Sequence, residues 1–179
     1  MKSGLFILLL FCGFFCFGQL AKPVYHPCLL LDSVEAKLSF IQLNAWRVFT
    51  DTADCKEDLL GKIGSLYISS KDKKYLDALS AIRQNQSAKV EELYTDLIKR
   101  IIENDFEGFV NNLYLSKGKF LSLEKELVLT MNMIVGAEPL KQKYMGRLNI
   151  EIEKATDRKD TYKASYLKKL KTRIEEERH

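Results

Sequence analysis

The residues best suited to chemistry in this chain are its four thiols. Cys12, Cys16 and Cys28 fall within the stretch FCGFFCFGQLAKPVYHPC, residues 11 to 28, and Cys55 lies well downstream. Thiolates could ligate a metal or run a redox cycle, but both chemistries need partners at short fixed spacings, CxxC or a Cys/His pattern, and neither spacing is present. The two histidines are His26, two residues from Cys28, and the terminal His179. A nucleophile–base arrangement therefore has little to stand on. The chain has no HExxH, no GxSxG and no glycine-rich phosphate loop, which removes zinc-peptidase, α/β-hydrolase and P-loop readings. Carboxylates occur in close pairs, Glu91/Glu92, Asp105/Glu107 and Glu124/Glu126. Neighbours one or two apart on a helix do not face each other, so acid/base work by such a pair is disfavoured. Met131 and Met133 read as core filler before they read as a metal site. The expectation is a protein with no cofactor, no metal and no enzymatic activity.

Cys12 and Cys16 belong to a segment shaped for export. One charge at Lys2 precedes an apolar run from Leu5 to Phe17, about 20 Å long as a helix and short of the ~30 Å hydrocarbon slab. Residues 1–18 are therefore expected to be a cleaved signal peptide, with Cys16 and Gly18 at the −3 and −1 sites and a mature chain beginning at Gln19. A lipid-modified cysteine would follow a small residue, whereas both leader cysteines follow phenylalanine. An uncleaved anchor is the other alternative, and the reading favours no stable membrane anchor. Cleavage leaves Cys28 and Cys55 as an even pair in an oxidising compartment, secreted or periplasmic. One structural disulfide is expected, contributing about 3 kcal/mol, with two free thiols as the alternative.

Without residues 1–18 the charge is 27 basic against 24 acidic side chains. The two signs segregate: residues 139 to 179 hold 12 basic and 7 acidic, and residues 19 to 138 hold 15 and 17. The basic run KASYLKKLKTR at 163 to 173, with Tyr162 and Tyr166, suits an anionic surface. It suits the solvated face of an amphipathic helix better, and no nucleic-acid partner is expected.

These residues must be positioned by helices. Prolines are three and the palette is rich in Leu, Lys, Glu, Ile and Ala, which points to an all-α, single-domain bundle of about six helices. Pro23 and Pro27 make residues 19–31 an extended N-terminal tail. The helical domain spans 32–155. Asp32 and Glu35 form a capping-box pattern opening a helix over about 33–49, with Val34, Leu38, Ile41, Ala45 and Val48 inward and Trp46, Phe40 and Phe49 widening the face. Asp51 or Asp54 caps a second helix to about Ser69; a third covers roughly 72 to 85. Ser87 caps a fourth that ends near Asn104, and a weaker one covers Phe106 to Leu115. LEKELVLTMNMIV, 123 to 135, suits a helix buried all round, with a strand as the alternative. Asn85-Gln86-Ser87 is a glycosylation sequon in a predicted loop. GKIGSLYIS (61 to 69) and GFVNNLYLS (108 to 116) hint at a duplication.

From Pro139 the pattern continues as one long amphipathic helix to Arg178. The polar tract TDRKD, 156 to 160, suggests that it packs up to Ala155 and that 156–179 projects or bends beyond. Tyr162, Tyr166, Leu170 and Ile174 form an apolar stripe there, a seam for an unknown protein partner or a second copy. The functional expectation is an exported, non-catalytic interaction or structural module. A carrier or holdase with an apolar cavity around Leu127 to Val135 is the alternative.

Overall fold

The computed structural model describes residues 26–49, 55–84, 91–133 and 138–176. The signal-peptide reading of 1–18, the tail from 19 to 25, the caps assigned to Asp51, Asp54 and Ser87, the sequon at 85–87, and Ile134 and Val135 all lie outside those residues. Among the described residues the chain forms a 3₁₀ turn, Pro27–Ser33, and eight α-helices: α1 Val34–Leu43, α2 Ala45–Val48, α3 Lys56–Ser70, α4 Lys73–Gln84, α5 Glu91–Leu115, α6 Leu121–Met133, α7 Glu138–Asp157 and α8 Thr161–Glu176. The class is all-α, and the run from Leu121 to Met133 is helix and not strand.

One continuous apolar core joins the elements. It runs from Leu30, Val34 and Ile41 through Leu59, Ile63, Leu76, Leu79, Ile98 and Phe109 to Leu127, Leu148 and Leu167. The period of the apolar positions decides this, since residues three and four apart share a face that must leave water. α3 packs on α4 and α5, α5 on α6, and α7 on α8. Gly64 faces α5 with no room to spare: a Cβ there would collide with the Leu97 side chain. A glycine that weakens the isolated helix thus lets two helices meet.

The front end departs from the sequence reading in three ways. Pro27 starts a 3₁₀ turn instead of continuing an extended tail, because its fixed φ suits a first helical position as well as an extended one. The expected capping box does not form: Ser33 is the N-cap and makes no side-chain capping bond, while Glu35 Oε1 accepts a hydrogen bond from the Tyr75 hydroxyl at 2.9 Å. The helix over 33–49 breaks at Asn44 (φ −115°, ψ 20°), whose side-chain amide donates to the Phe40 carbonyl at 2.9 Å. A side chain that satisfies the local backbone competes with helix propagation. The break turns Trp46 outward, 56% exposed, with the Arg47 guanidinium 4.4 Å from its ring centre. Cys28 and Cys55 are bonded to each other, with Cα atoms 5.1 Å apart, fixing the 3₁₀ turn to the start of α3.

α5 is continuous but kinked at Asp105 (φ −156°, ψ 58°), one residue beyond the expected stop near Asn104. The Asp105 carboxylate accepts the Tyr67 hydroxyl at 3.1 Å, and the Asn112 amide donates to that hydroxyl at 3.3 Å. A Cβ on Gly108 would come within 2.4 Å of the Asp105 carboxylate, so the weak helix former permits the kink. Burial, only partly offset by the Asn112 bond and reinforced by the Asp105 charge, holds the Tyr67 phenol well above its ordinary value.

Candidate functional site

The stripe Tyr162, Tyr166, Leu170, Ile174 was expected on a projecting helix, and that placement is corrected by a turn. Lys159 takes a left-handed conformation (φ 59°), and the Asp160 amide donates to the Ala155 carbonyl at 2.9 Å. This is the six-to-one bond that closes a helix in a Schellman turn. Asp160 Oδ1 then accepts the Lys163 amide at 3.0 Å, capping the next helix. The polar tract is therefore a helix stop followed at once by a helix start. α8 folds back on α7 and also packs on α6 and α5.

The reversal buries most of the stripe. Leu170 and Ile174 are each 1% exposed and belong to the core, with Leu167 at 0%. Tyr166 is half-buried and donates its hydroxyl to Glu124 Oε2 at 2.7 Å, while Arg173 pairs with the other oxygen of that carboxylate. Desolvation, then the Glu124 hydrogen bond, raises the Tyr166 phenol far above its usual range. Tyr162 stays outside, 83% exposed. Of the four, it alone remains available to a partner.

The opposite face of α8 is what the fold presents. Thr161, Ser165, Lys168 and Thr172 recur at four- and three-residue steps and are exposed. With Thr156, Ala164, Lys169 and Arg173 they line an open groove of about 700 Å³. At 1.5 Å per residue, the face from Thr161 to Arg173 is about 18 Å long. Lys168 and Lys169 form no ion pair among the described residues. Thr172 Oγ1 donates to the Lys168 carbonyl at 3.1 Å, which leaves its oxygen open as an acceptor. The described lining supplies three cations and four hydroxyls, and no carboxylate, imidazole or thiol. Such a surface can hold and orient anionic groups. The sequence contained the signal in the run 163 to 173; the hydroxyls at the matching helical spacing were not read with it.

The carboxylate pairs are separated as their spacing requires. Glu107 is held by Arg147 on α7, and that hydrogen bond depresses its carboxyl below the usual range. Asp105 faces Tyr67 and lies 3.8 Å from Lys71. Glu124 faces α8, and Glu126 faces Arg83 on α4. The side chains of Glu91 and Glu92 lie outside the described residues. Tyrosine hydroxyls are bound within the fold at Tyr67, Tyr75, Tyr94, Tyr114 and Tyr166. Met131 is buried, whereas Met133 is 62% exposed. Within the segment assigned to a carrier's cavity wall, Leu127 and Val128 pack fully in the core, while Leu129 lines a second concavity.

No group of three or more His, Cys, Asp or Glu side chains is placed to hold a metal among the described residues. None of the described helices is long and apolar enough to cross a membrane. No protein-family model matches the chain, and no curated protein or solved structure is similar to it.

Proposed function

We propose that this chain is an exported helical protein that works by contact and not by catalysis, engaging an acidic partner protein through the outer face of α8. The observation that carries the reading is the groove along that face, lined by Lys168, Lys169 and Arg173 with hydroxyls between them. Lys168 and Lys169, exposed opposite a packed core face and beside Arg173, which is held by Glu124, create a local positive potential that the fold itself does not use for packing. The charge segregation in the sequence points the same way. The Cys28–Cys55 bond supports an oxidising destination, in keeping with export directed by residues 1–18.

Charge reversal tests the reading without disturbing the core. The Lys168→Glu/Lys169→Glu variant and the wild type, displayed as bait in the native envelope or medium, are compared by quantitative capture. A partner retained at low salt by the wild type and lost by the variant supports the proposal. Equal capture by both refutes it. Light scattering on the two proteins reads the self-association arm: a salt-sensitive dimer lost in the variant would make the partner a second copy.

A further inference from the structure

A second concavity, of about 490 Å³, lies between the end of α4 and α6, away from the α8 groove, and its floor is ionic. Arg83, Gln84, Leu121, Ser122, Lys125, Glu126 and Leu129 line it. Arg83 donates Nε–H to Glu126 Oε1 at 2.7 Å, and Nη2 lies 2.7 Å from the same oxygen. The Glu126 side chain is 2% exposed and that of Arg83 17%. Arg83 Nη1 has no partner among the described residues. The guanidinium also lies 5.7 Å from the centre of the Tyr94 ring, and Tyr94 is itself fixed by donating its hydroxyl to the Leu79 carbonyl at 2.9 Å.

A buried ion pair is seldom a better stabiliser than apolar side chains of equal volume, because desolvating both charges offsets their attraction. Its value here is positional. Nε and Nη2 are held by Glu126 and the guanidinium lies over the Tyr94 ring, so Arg83 lines the cleft from a fixed position. Lys125 stands exposed at the rim, and the Ser122 hydroxyl lies 3.1 Å from that of Ser80. Leu121, 49% exposed, and half-buried Leu129 add apolar wall.

We propose that this cleft binds a small organic carboxylate with a short apolar body, its anionic end on Arg83 and Lys125 and its body against Leu121 and Leu129. The planar guanidinium edge matches a carboxylate. The lining's net charge is +1, two cations against Glu126, which a monoanion neutralises. A dianionic phosphate would leave a surplus negative charge beside Glu126, and an alkylammonium would meet two cations. The proposal does not depend on the α8 groove.

The test is an amide NMR titration of the whole exported chain with hexanoate, and with hexanol and hexylammonium as controls. Saturable shifts at Gln84, Ser122 and Lys125 are expected with hexanoate, with hexanol at least tenfold weaker and hexylammonium weaker still. An Arg83→Met/Glu126→Leu variant keeps the volume and removes both charges; it should fold and lose hexanoate binding at least tenfold. Lys125→Glu, at an exposed position, should also weaken binding at least tenfold and decides the matter where the double variant does not fold. Equal binding of hexanoate and hexanol, preference for hexylammonium, absence of saturable shifts, or unchanged affinity in either variant would overturn the assignment.

Discussion

Tyr166 on α8 and Glu124 on α6 are joined by a 2.7 Å hydrogen bond across 42 residues of sequence. That bond, with the Arg173 pair on the same carboxylate, fastens the last helix to the body at a point where the sequence suggested a free end. Replacing Tyr166 by Phe should cost about 1.5 kcal/mol, the usual worth of a bond to a charged acceptor. Urea unfolding followed by circular dichroism measures it; an unchanged midpoint would mean that α8 is not held there.

Alkaline pH should loosen the fold through its buried phenols. Burial is the leading cause that raises Tyr67, Tyr94 and Tyr166 above the ordinary tyrosine value. An unfolded tyrosine loses its proton near pH 10, while these three keep theirs when folded. The unfolded state then binds fewer protons, so stability is complete below about pH 10 and falls as pH rises beyond it. Unfolding midpoints at pH 8 and pH 11 should differ, and Tyr166→Phe should shrink the difference.

Leu170 and Ile174 are structural in this fold. Leu170→Ala should cost about 2–5 kcal/mol by leaving a cavity in the core, visible as a lower melting temperature with no change in oligomeric mass. A variant that keeps its stability and loses a partner would restore these residues to an outer seam.

The turn between α7 and α8 can be tuned from both sides. Lys159→Gly relieves a left-handed side-chain residue and should stabilise by about 1 kcal/mol, most clearly at high salt, where the lysine's attraction to the helix end is screened. Asp160→Ala removes the cap on α8 and should cost about 1 kcal/mol. Opposite signs in thermal melts are the expected result.

Removing the sulfur bridge by Cys28→Ser/Cys55→Ser should lower stability by about 3 kcal/mol, because the unfolded chain regains the freedom of a 27-residue separation. Chemical denaturation of the oxidised protein and the double variant would show it as a shifted midpoint.

Helix existence was legible because the apolar period survives every local irregularity: Val34, Leu38 and Ile41, or Leu140, Tyr144 and Leu148, repeat at helical steps whatever their neighbours do. The disulfide was legible too, from Cys28 and Cys55 being the two cysteines outside the apolar segment at 1–18. Corners were not. The break at Asn44 and the reversal at Lys159 depend on single side-chain or backbone choices worth about 1 kcal/mol, well below what a hydrophobic pattern reports. Misreading the second corner moved Leu170 and Ile174 from core to surface, since periodicity says that a face is covered and not which chain covers it. The basic run at 163 to 173 announced the α8 groove, but the second cleft needed three dimensions altogether: Arg83 and Glu126 are 43 residues apart, and nothing in either neighbourhood announces the other.

The bond between Cys28 and Cys55 makes a closed covalent ring that contains the whole of α1 and α2. A protease that nicks the backbone once anywhere inside that ring cannot shed a fragment. Both pieces would migrate as one species until a reductant is added, so a single cut there leaves the whole chain in one covalent molecule.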